Sequence, residues 1–268
     1  MLWKKARPSD NVKDTRKTGF SFGQKVGMFL AAVTLPGIFV TLGNLTPDEK
    51  EPRNDPQVEF IRAVLGDTED TWRQLFEPFA QTYPEPELTL FDNSVTSACG
   101  YATSAVGPFY CPQNQAVYLD LDFFRKMAER VADFGEFAQA YVIAHEIGHH
   151  VQARLGLSRP FDEAQNAGQH TAGDDGLQVR SELQADCLAG VWAHHAQQRL
   201  DWLEPGDMQA ALNAASAVGD DYQRGNSSAK VMPETFTHGR SEQRVRWFGL
   251  GFEHGRIEQC DTFSADPL

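Results

Sequence analysis

The chain has 268 residues, of which 41% are hydrophobic and 11% aromatic, and it carries a formal net charge of −13. This length accommodates one large domain or two small ones, and the composition is typical of a folded protein. Residues 1–25 contain seven basic and two acidic side chains, a net of +5, which leaves −18 for the rest of the chain. A body this acidic is poorly suited to phosphate contacts, so we expect no nucleic-acid partner.

An uncharged segment, Val26–Leu45, follows the basic residues 1–25, which we expect to be disordered and cytoplasmic. Twenty helical residues span about 30 Å, the thickness of the hydrocarbon core of a bilayer. Because the basic flank precedes the segment, we predict a single transmembrane anchor with the rest of the chain facing outward. The alternatives are a cleaved signal peptide, although no A-x-A-like site follows, and a soluble or surface-lying segment.

The remaining residues predict a charged linker and then one mainly helical domain, residues 58–268. Residues 46–57 are charged and contain proline, which is typical of a linker. Apolar spacing predicts helices over Val58–Tyr83, Phe134–Leu155, Ser181–Leu200, Glu204–Asp220 and Glu242–Phe252. Short strands are predicted at Leu88–Phe91 and Ala116–Leu121, and a long polar surface loop at Leu157–Arg180. The expected fold class is therefore α+β, mainly α, with a small β-sheet.

Four cysteines are present, and an even number in an exported domain suggests disulfide bonds. Four cysteines allow three pairings, and reduced thiols are the alternative in a cytosolic protein. Cys99 and Cys111 bracket a short loop, whereas Cys187 lies in a predicted helix and Cys260 lies near the C-terminus. We favour the pairing of Cys99 with Cys111 and of Cys187 with Cys260.

The pentapeptide His145-Glu146-Ile147-Gly148-His149 lies within a predicted helix. Two imidazoles four residues apart share one helical face and can bind one metal ion. The intervening Glu146 is then placed to act on a water bound to that metal. A buried histidine that only forms core hydrogen bonds is the alternative, but the apolar stripe of this helix favours a metal site. The stripe comprises Phe137, Tyr141, Ala144, Val151 and Leu155.

A catalytic zinc ion usually takes three protein ligands, so the sequence must supply a third one. The continuation H-E-x-x-H-x-x-G-x-x-H is excluded because Gln152 and Leu155 occupy its last two fixed positions. The next predicted helix contains Glu182 and Asp186, which share a face at a spacing of four residues. We assign Glu182 to the metal and Asp186 to a hydrogen bond with a ligand histidine. A solvated helix face is the alternative, but the apolar flanks of both carboxylates indicate that this helix is buried.

Three further histidines are not assigned to this metal. His150 lies about 100° around the helix from His149, so it should not reach the same ion. His194 and His195 are expected to be surface or packing residues.

The chain resembles the YpfJ-like neutral zinc metallopeptidases of bacteria. The segments that carry the resemblance run in order from Ser9 onward: SDNV at 9–12, CGYATSAVGPFYCP at 99–112, VYLDLDFF at 117–124, YVIAHEIGHHVQ at 141–152, ELQADCLAGVWAHHAQ at 182–197, FTHGRSEQRVRWF at 236–248 and CDTF at 260–263. This resemblance implies a membrane-anchored, zincin-like domain. Together with the orientation expected from the basic flank, it predicts a location at the bacterial inner membrane, with the domain on the periplasmic side.

A weaker similarity links the chain to the HtpX and Oma1 type of membrane-associated metalloprotease. It rests on the order H-E-x-x-H, E-x-x-x-D and T-H-x-x-x-x-x-R. By this likeness His238 would lie near the metal and stabilise the transition state, and Arg244 would be a structural partner. A turn residue without a catalytic role is the alternative for His238.

The sequence thus predicts a zinc metallopeptidase of the gluzincin type, with one Zn²⁺ held by His145, His149 and Glu182. Glu146 is the expected general base and a peptide or protein is the expected substrate, bound by strand addition along residues 107–119. Two other functions remain open: a non-catalytic zinc-binding scaffold, and a zinc hydrolase acting on another amide of the cell envelope.

Overall fold

The computed structural model describes residues 1–16, 55–131, 133–225 and 232–268. The predicted anchor at residues 26–45 and most of the predicted linker lie outside these ranges. Among the described residues, no helix combines the length and the apolar character needed to cross a membrane.

Helices form most of the described structure, in agreement with the expected mainly helical body. Their bounds are α1 Pro56–Phe76, α2 Leu121–Ala128, α3 Glu136–Leu155, α4 Arg159–Asn166, α5 Leu177–Leu200, α6 Asp207–Ala217, α7 Asp220–Gly225 and α8 Ser241–His254. Helix α1 begins where the Asp55 side chain accepts a hydrogen bond from the backbone N–H of Gln57, with Pro56 at the first helical position. Helix α3 ends at Leu155, and Gly156 after it adopts a left-handed conformation with φ 67°.

The strands form a mixed sheet and a separate hairpin. Their bounds are β1 Val12–Asp14, β2 Glu87–Phe91, β3 Ser94–Ser97, β4 Gly100–Thr103, β5 Phe109–Cys111 and β6 Ala116–Asp120. The sheet has the order β1-β2-β6-β5, and β3 pairs with β4. The strands β1, β2 and β6 run parallel, whereas β5 is antiparallel to β6. The strand β5 is therefore an antiparallel edge of the sheet.

The N-terminal residues belong to the folded domain, contrary to the expectation that residues 1–25 are disordered. The strand β1 pairs with β2 in the register Val12 to Leu88. The Asn11 side chain donates hydrogen bonds of 2.8 Å to both Glu69 and Glu85. A run of basic residues is typical of a disordered segment, but carboxylates of α1 neutralise Arg7 here. Residues 1–16 consequently lie in one folded unit with the other described residues.

The two ends of the undescribed segment 17–54 lie side by side. Arg16 Nη2 donates a hydrogen bond of 2.9 Å to Asp55 Oδ2. The described residues on either side of segment 17–54 are therefore neighbours in the folded domain.

The core lies where α3, α5 and α8 meet. Helix α5 is buried along most of its length and contacts α8 closely. Gly190 and Gly251 allow this approach: an added Cβ would lie 2.1 Å from the Phe248 carbonyl oxygen and 1.9 Å from the Cys187 carbonyl oxygen, respectively. The segment 157–180 is not a continuous loop, because it contains α4. Helix α5 begins at Leu177 rather than at Ser181, which is buried inside the helix and is not its cap.

Both favoured disulfide pairings are present. Cys99 is bonded to Cys111 beside the β3–β4 hairpin, and Cys187 of α5 is bonded to Cys260 near the C-terminus. No cysteine is left free. The second bond holds the C-terminal segment against the helix that carries Glu182 and Asp186.

Candidate metal centre

Three predicted ligands come together from two helices. His145 and His149 extend from one face of α3, and Glu182 faces them from α5. Their candidate ligand atoms all lie within 4.8 Å of one another. His145 Nε2 is 3.2 Å from Glu182 Oε2, and His149 Nε2 is 3.6 Å from Glu182 Oε1. Both Nε2 atoms therefore point to one place, as the binding of a single ion requires.

Gly148 allows α5 to come close enough for Glu182 to reach the two histidines. A Cβ at this position would lie 2.8 Å from the carbonyl oxygen of Ala185 and 3.1 Å from its Cα. Both atoms belong to the backbone of α5, one helical turn after Glu182. The sequence analysis assigned no role to Gly148, because the close approach of two helices leaves no mark on the spacing of either one.

Asp186 is the hydrogen-bond partner of His145. Its carboxylate is fully buried and accepts hydrogen bonds from His145 Nδ1 at 2.8 Å and from the Tyr141 hydroxyl at 2.6 Å. Arg244 of α8 donates to the same carboxylate from Nε at 2.8 Å and from Nη2 at 2.9 Å. The predicted structural partner Arg244 thus neutralises Asp186. The proton on His145 Nδ1 leaves its Nε2 lone pair available to a metal.

His149 has a different partner that the sequence analysis missed. Its Nδ1 donates a hydrogen bond of 2.8 Å to Oε1 of Gln152, which lies three residues further along α3 and is buried. The spacing of three residues was the available signal, since it places Gln152 on the same face as His149. Each histidine therefore has Nδ1 occupied and Nε2 directed at Glu182.

The charges of the site shift the pKa values of its groups strongly. Burial alone would lower the pKa of His145, but the charge of Asp186 and hydrogen bonds to Asp186 and Glu182 raise it to about 10. The pKa of His149 is raised as well, against its burial, by Glu182. Burial opposes ionisation of Glu182, yet His149 and His145 hold its pKa well below the ordinary value. The negative charges of Asp186 and Glu182 thus favour a positive charge at the point where the three candidate ligands meet.

Glu146 and His238 line the same cleft as the three candidate ligands. The cleft has a volume of roughly 1650 Å³. The side chain of His238 is 47% exposed, and its Nδ1 lies 2.9 Å from the Thr237 hydroxyl oxygen. Asp220 fixes the backbone here, since its Oδ2 accepts N–H hydrogen bonds from Thr237, His238 and Gly239 at 2.8, 2.7 and 3.0 Å.

The other histidines have packing roles. His150 faces away from the candidate ligands, with Nε2 donating to the Pro84 carbonyl at 2.6 Å and Nδ1 lying 3.0 Å from the Tyr110 hydroxyl. Burial lowers the pKa of His150 to about 4, so it is neutral. His194 and His195 hydrogen-bond the carbonyl groups of Phe252 and Gly255 at the end of α8.

The residues present fit a zinc ion. Two imidazole nitrogens and a carboxylate are the donor set of a catalytic zinc site with one position left for water. The fit does not depend on composition alone, because each imidazole is held by a buried partner in the tautomer that ligation needs.

Comparisons with known proteins agree with this donor set. A family model described as "Putative neutral zinc metallopeptidase" matches residues 1–263. The chain is 42% identical to the protein YpfJ of Escherichia coli strain K12, over 98% of this chain and 99% of YpfJ. It is also 42% identical to the protein Rv2575 of Mycobacterium tuberculosis strain H37Rv, over 78% of this chain and 73% of that protein. No solved structure matches the chain significantly. The chain therefore belongs to the neutral zinc metallopeptidase family.

Proposed function

We propose that the protein hydrolyses peptide bonds with one zinc ion held by His145, His149 and Glu182. The observation that carries this proposal is the convergence of the two Nε2 atoms and the Glu182 carboxylate in a cleft that Glu146 also lines. A structural zinc site is usually closed by four protein ligands, whereas this cluster has three and opens to a cleft.

The proposed chemistry divides among these residues. A zinc ion bound here supplies Lewis acidity, which lowers the pKa of a water to about 7 and stabilises charge on a carbonyl oxygen. Glu146 accepts the proton of the attacking water and passes it to the leaving amine. His238, at the wall of the cleft, donates a hydrogen bond to the developing oxyanion. Asp186 and Arg244 keep His145 in place during the reaction.

We propose that the substrate backbone adds to the edge strand β5. This strand ends the sheet, and its residues Phe109 and Tyr110 line the cleft. An unpaired strand edge offers backbone N–H and C=O groups to an extended peptide. The cleft also exceeds the 300–1000 Å³ or so that is typical of sites for small molecules, which favours a polymeric substrate.

The test combines zinc content with cleavage. Glu146→Gln should retain stoichiometric zinc and lose about 10²–10⁴ in rate, the usual contribution of a general base. Glu182→Ala should lose zinc, and Glu253→Gln, an exposed position near the end of α8, should match the wild type in both measurements. Cell envelopes that contain either wild type or Glu146→Gln are compared for new peptide termini. Zinc retention with equal cleavage by Glu146→Gln would refute the proposal.

We propose that the domain functions outside the cytoplasm and is attached to the membrane through residues 26–45. Two disulfide bonds favour an oxidising compartment. The pairing of β1 with β2 and the contact of Arg16 with Asp55 favour one modification of the expected single crossing. Residues 1–16 share the compartment of the domain, so that residues 26–45 attach the chain without carrying it across.

Tags at both termini distinguish these arrangements. In spheroplasts treated with external protease, we expect an N-terminal and a C-terminal tag to be cleaved together. A protected N-terminal tag beside a cleaved C-terminal tag would restore the single crossing. Protection of the C-terminal tag would refute the extracytoplasmic location.

A further inference from the structure

A row of hydrogen bonds leads from His149 through two buried amides to the C-terminal segment. His149 Nδ1 lies 2.8 Å from Gln152 Oε1, and Gln152 Nε2 lies 3.0 Å from Gln184 Oε1. Gln184 Nε2 in turn lies 2.9 Å from the backbone carbonyl oxygen of Cys260. Gln152 and Gln184 are 1% and 3% exposed, so water does not substitute for these partners.

The Cys260 carbonyl determines how the two side-chain amides in this row are oriented. The carbonyl of Cys260 can only accept, so Gln184 must direct its NH₂ group toward it and its oxygen toward Gln152. Gln152 must then direct its NH₂ group toward Gln184. The same NH₂ group donates a hydrogen bond of 2.7 Å to the Ser181 carbonyl, which independently requires that orientation. The oxygen of Gln152 is left to face His149, which must hold its proton on Nδ1.

The two histidines are therefore held by different chemistry. His145 donates to the ionised Asp186, whose charge Arg244 balances. His149 donates to the neutral amide of Gln152, whose orientation depends on residues of α5 and of the C-terminal segment. The disulfide bond joins Cys260 to Cys187, which lies three residues after Gln184 on α5. It thereby keeps the backbone carbonyl of Cys260 beside α5.

We propose that Gln152 and Gln184 are positioning residues that hold His149 in the Nδ1-protonated form and direct its Nε2 at the metal. The inference rests on the proposed zinc site. Gln184 does not line the cleft, and its hydrogen-bond partners are Gln152 and the Cys260 carbonyl. Its effect on zinc binding therefore passes through Gln152.

Zinc affinity of the purified full-length chain tests the relay. The dissociation constant is measured by chelator competition and referred to the folded fraction, which is measured by urea unfolding. Gln152→Leu should bind zinc about 10–100-fold more weakly, the usual effect of removing the partner of a ligand histidine. Gln184→Leu should lower the affinity by about tenfold, the low end of that range, since Gln152 keeps its bond to the Ser181 carbonyl. The control Gln209→Leu, at an exposed position of α6, should match the wild type.

The double variant Gln152→Leu/Gln184→Leu separates a relay from two local packing effects. If Gln184 acts through Gln152, the double variant should bind zinc no more weakly than Gln152→Leu. Additive losses would overturn the relay, as would wild-type affinity in a folded Gln152→Leu chain. If Gln152→Leu does not fold, a folded Gln184→Leu with unchanged affinity gives the same refutation. A wild-type chain that binds no zinc would refute the proposed function itself, and the relay with it.

Discussion

Replacing Gly148 by alanine should weaken zinc binding although the new methyl group touches no ligand. An added Cβ would lie 2.8 Å from the carbonyl oxygen of Ala185, whereas ordinary contacts begin at 3.4 Å. The helices must therefore separate by about 0.6 Å, the difference between these two distances, because the contacting atom belongs to the backbone of α5. Glu182 lies one turn earlier on the same helix and moves with it.

The size of this shift decides the outcome. Distances between a metal and its ligands must agree to within about 0.2 Å, so a shift of about 0.6 Å disturbs the site. We expect zinc affinity to fall on the order of 10–100-fold, as for the loss of an outer partner of a ligand. Overpacking costs about 1–3 kcal/mol, and the gain in helix propensity from glycine to alanine offsets about 1 kcal/mol of it. The free energy of unfolding should therefore fall by about 0–2 kcal/mol, so zinc affinity is referred to the folded fraction.

Gly249→Ala is the matched control. Gly249 also lies inside a helix, α8, but an added Cβ there meets nothing within 4 Å. This variant should keep the wild-type zinc affinity and gain up to about 1 kcal/mol in stability. Chelator competition and urea unfolding measure both quantities. Equal zinc affinity in Gly148→Ala, Gly249→Ala and wild type would refute the idea that the spacing of α3 and α5 positions Glu182.

Three further predictions concern stability. Arg244→Met removes the guanidinium that neutralises the fully buried Asp186, so urea unfolding should show a loss of about 3–5 kcal/mol. Combination with Asp186→Asn should partly restore the stability, and a loss below about 1 kcal/mol in the single variant would contradict this. Burial alone would raise the pKa of Asp220, but hydrogen bonds from His238 and Thr237 hold this pKa below its ordinary value of 3.8. The ionised carboxylate therefore stabilises the fold fully above pH 3.8, and this stabilisation is lost as the pH falls through the lowered pKa. Asp220→Ala should accordingly cost about 2 kcal/mol at pH 7 and less near pH 3, and a cost that does not vary with pH would count against this role. Removing the disulfide bond with Cys187→Ala/Cys260→Ala should lower the free energy of unfolding by about 4 kcal/mol, because the bond closes a loop with a sequence separation of 73. An unfolding midpoint equal to that of the wild type would contradict this stabilisation.

The metal ligands could be predicted from the sequence because their geometry is local. The spacing of His145 and His149 places both on one face of a helix, and the same holds for Glu182 and Asp186 on the next one. Apolar periodicity indicated that both helices are buried, and Gly156 marked the end of the first. Most predicted helices, and the strands β2 and β6, agree with the structure to within a few residues. The helix predicted over Val58–Tyr83 ends earlier, at Phe76, and the helix predicted over Glu204–Asp220 corresponds to the shorter α6.

Other features required the tertiary structure, because they depend on partners distant in the sequence. Gln152 and Gln184 are ordinary polar residues until α3, α5 and the C-terminal segment meet, and Gly148 has no role until α5 packs against it. The short strands β1 and β5 carry too few residues for a period to be visible, and pairing in the sheet alone defines them. For the same reason, residues 1–16 suggested a separate basic segment, whereas contacts with α1 and β2 place them in the domain. Local spacing thus determined which side chains can bind one ion, and long-range packing determined how they are held.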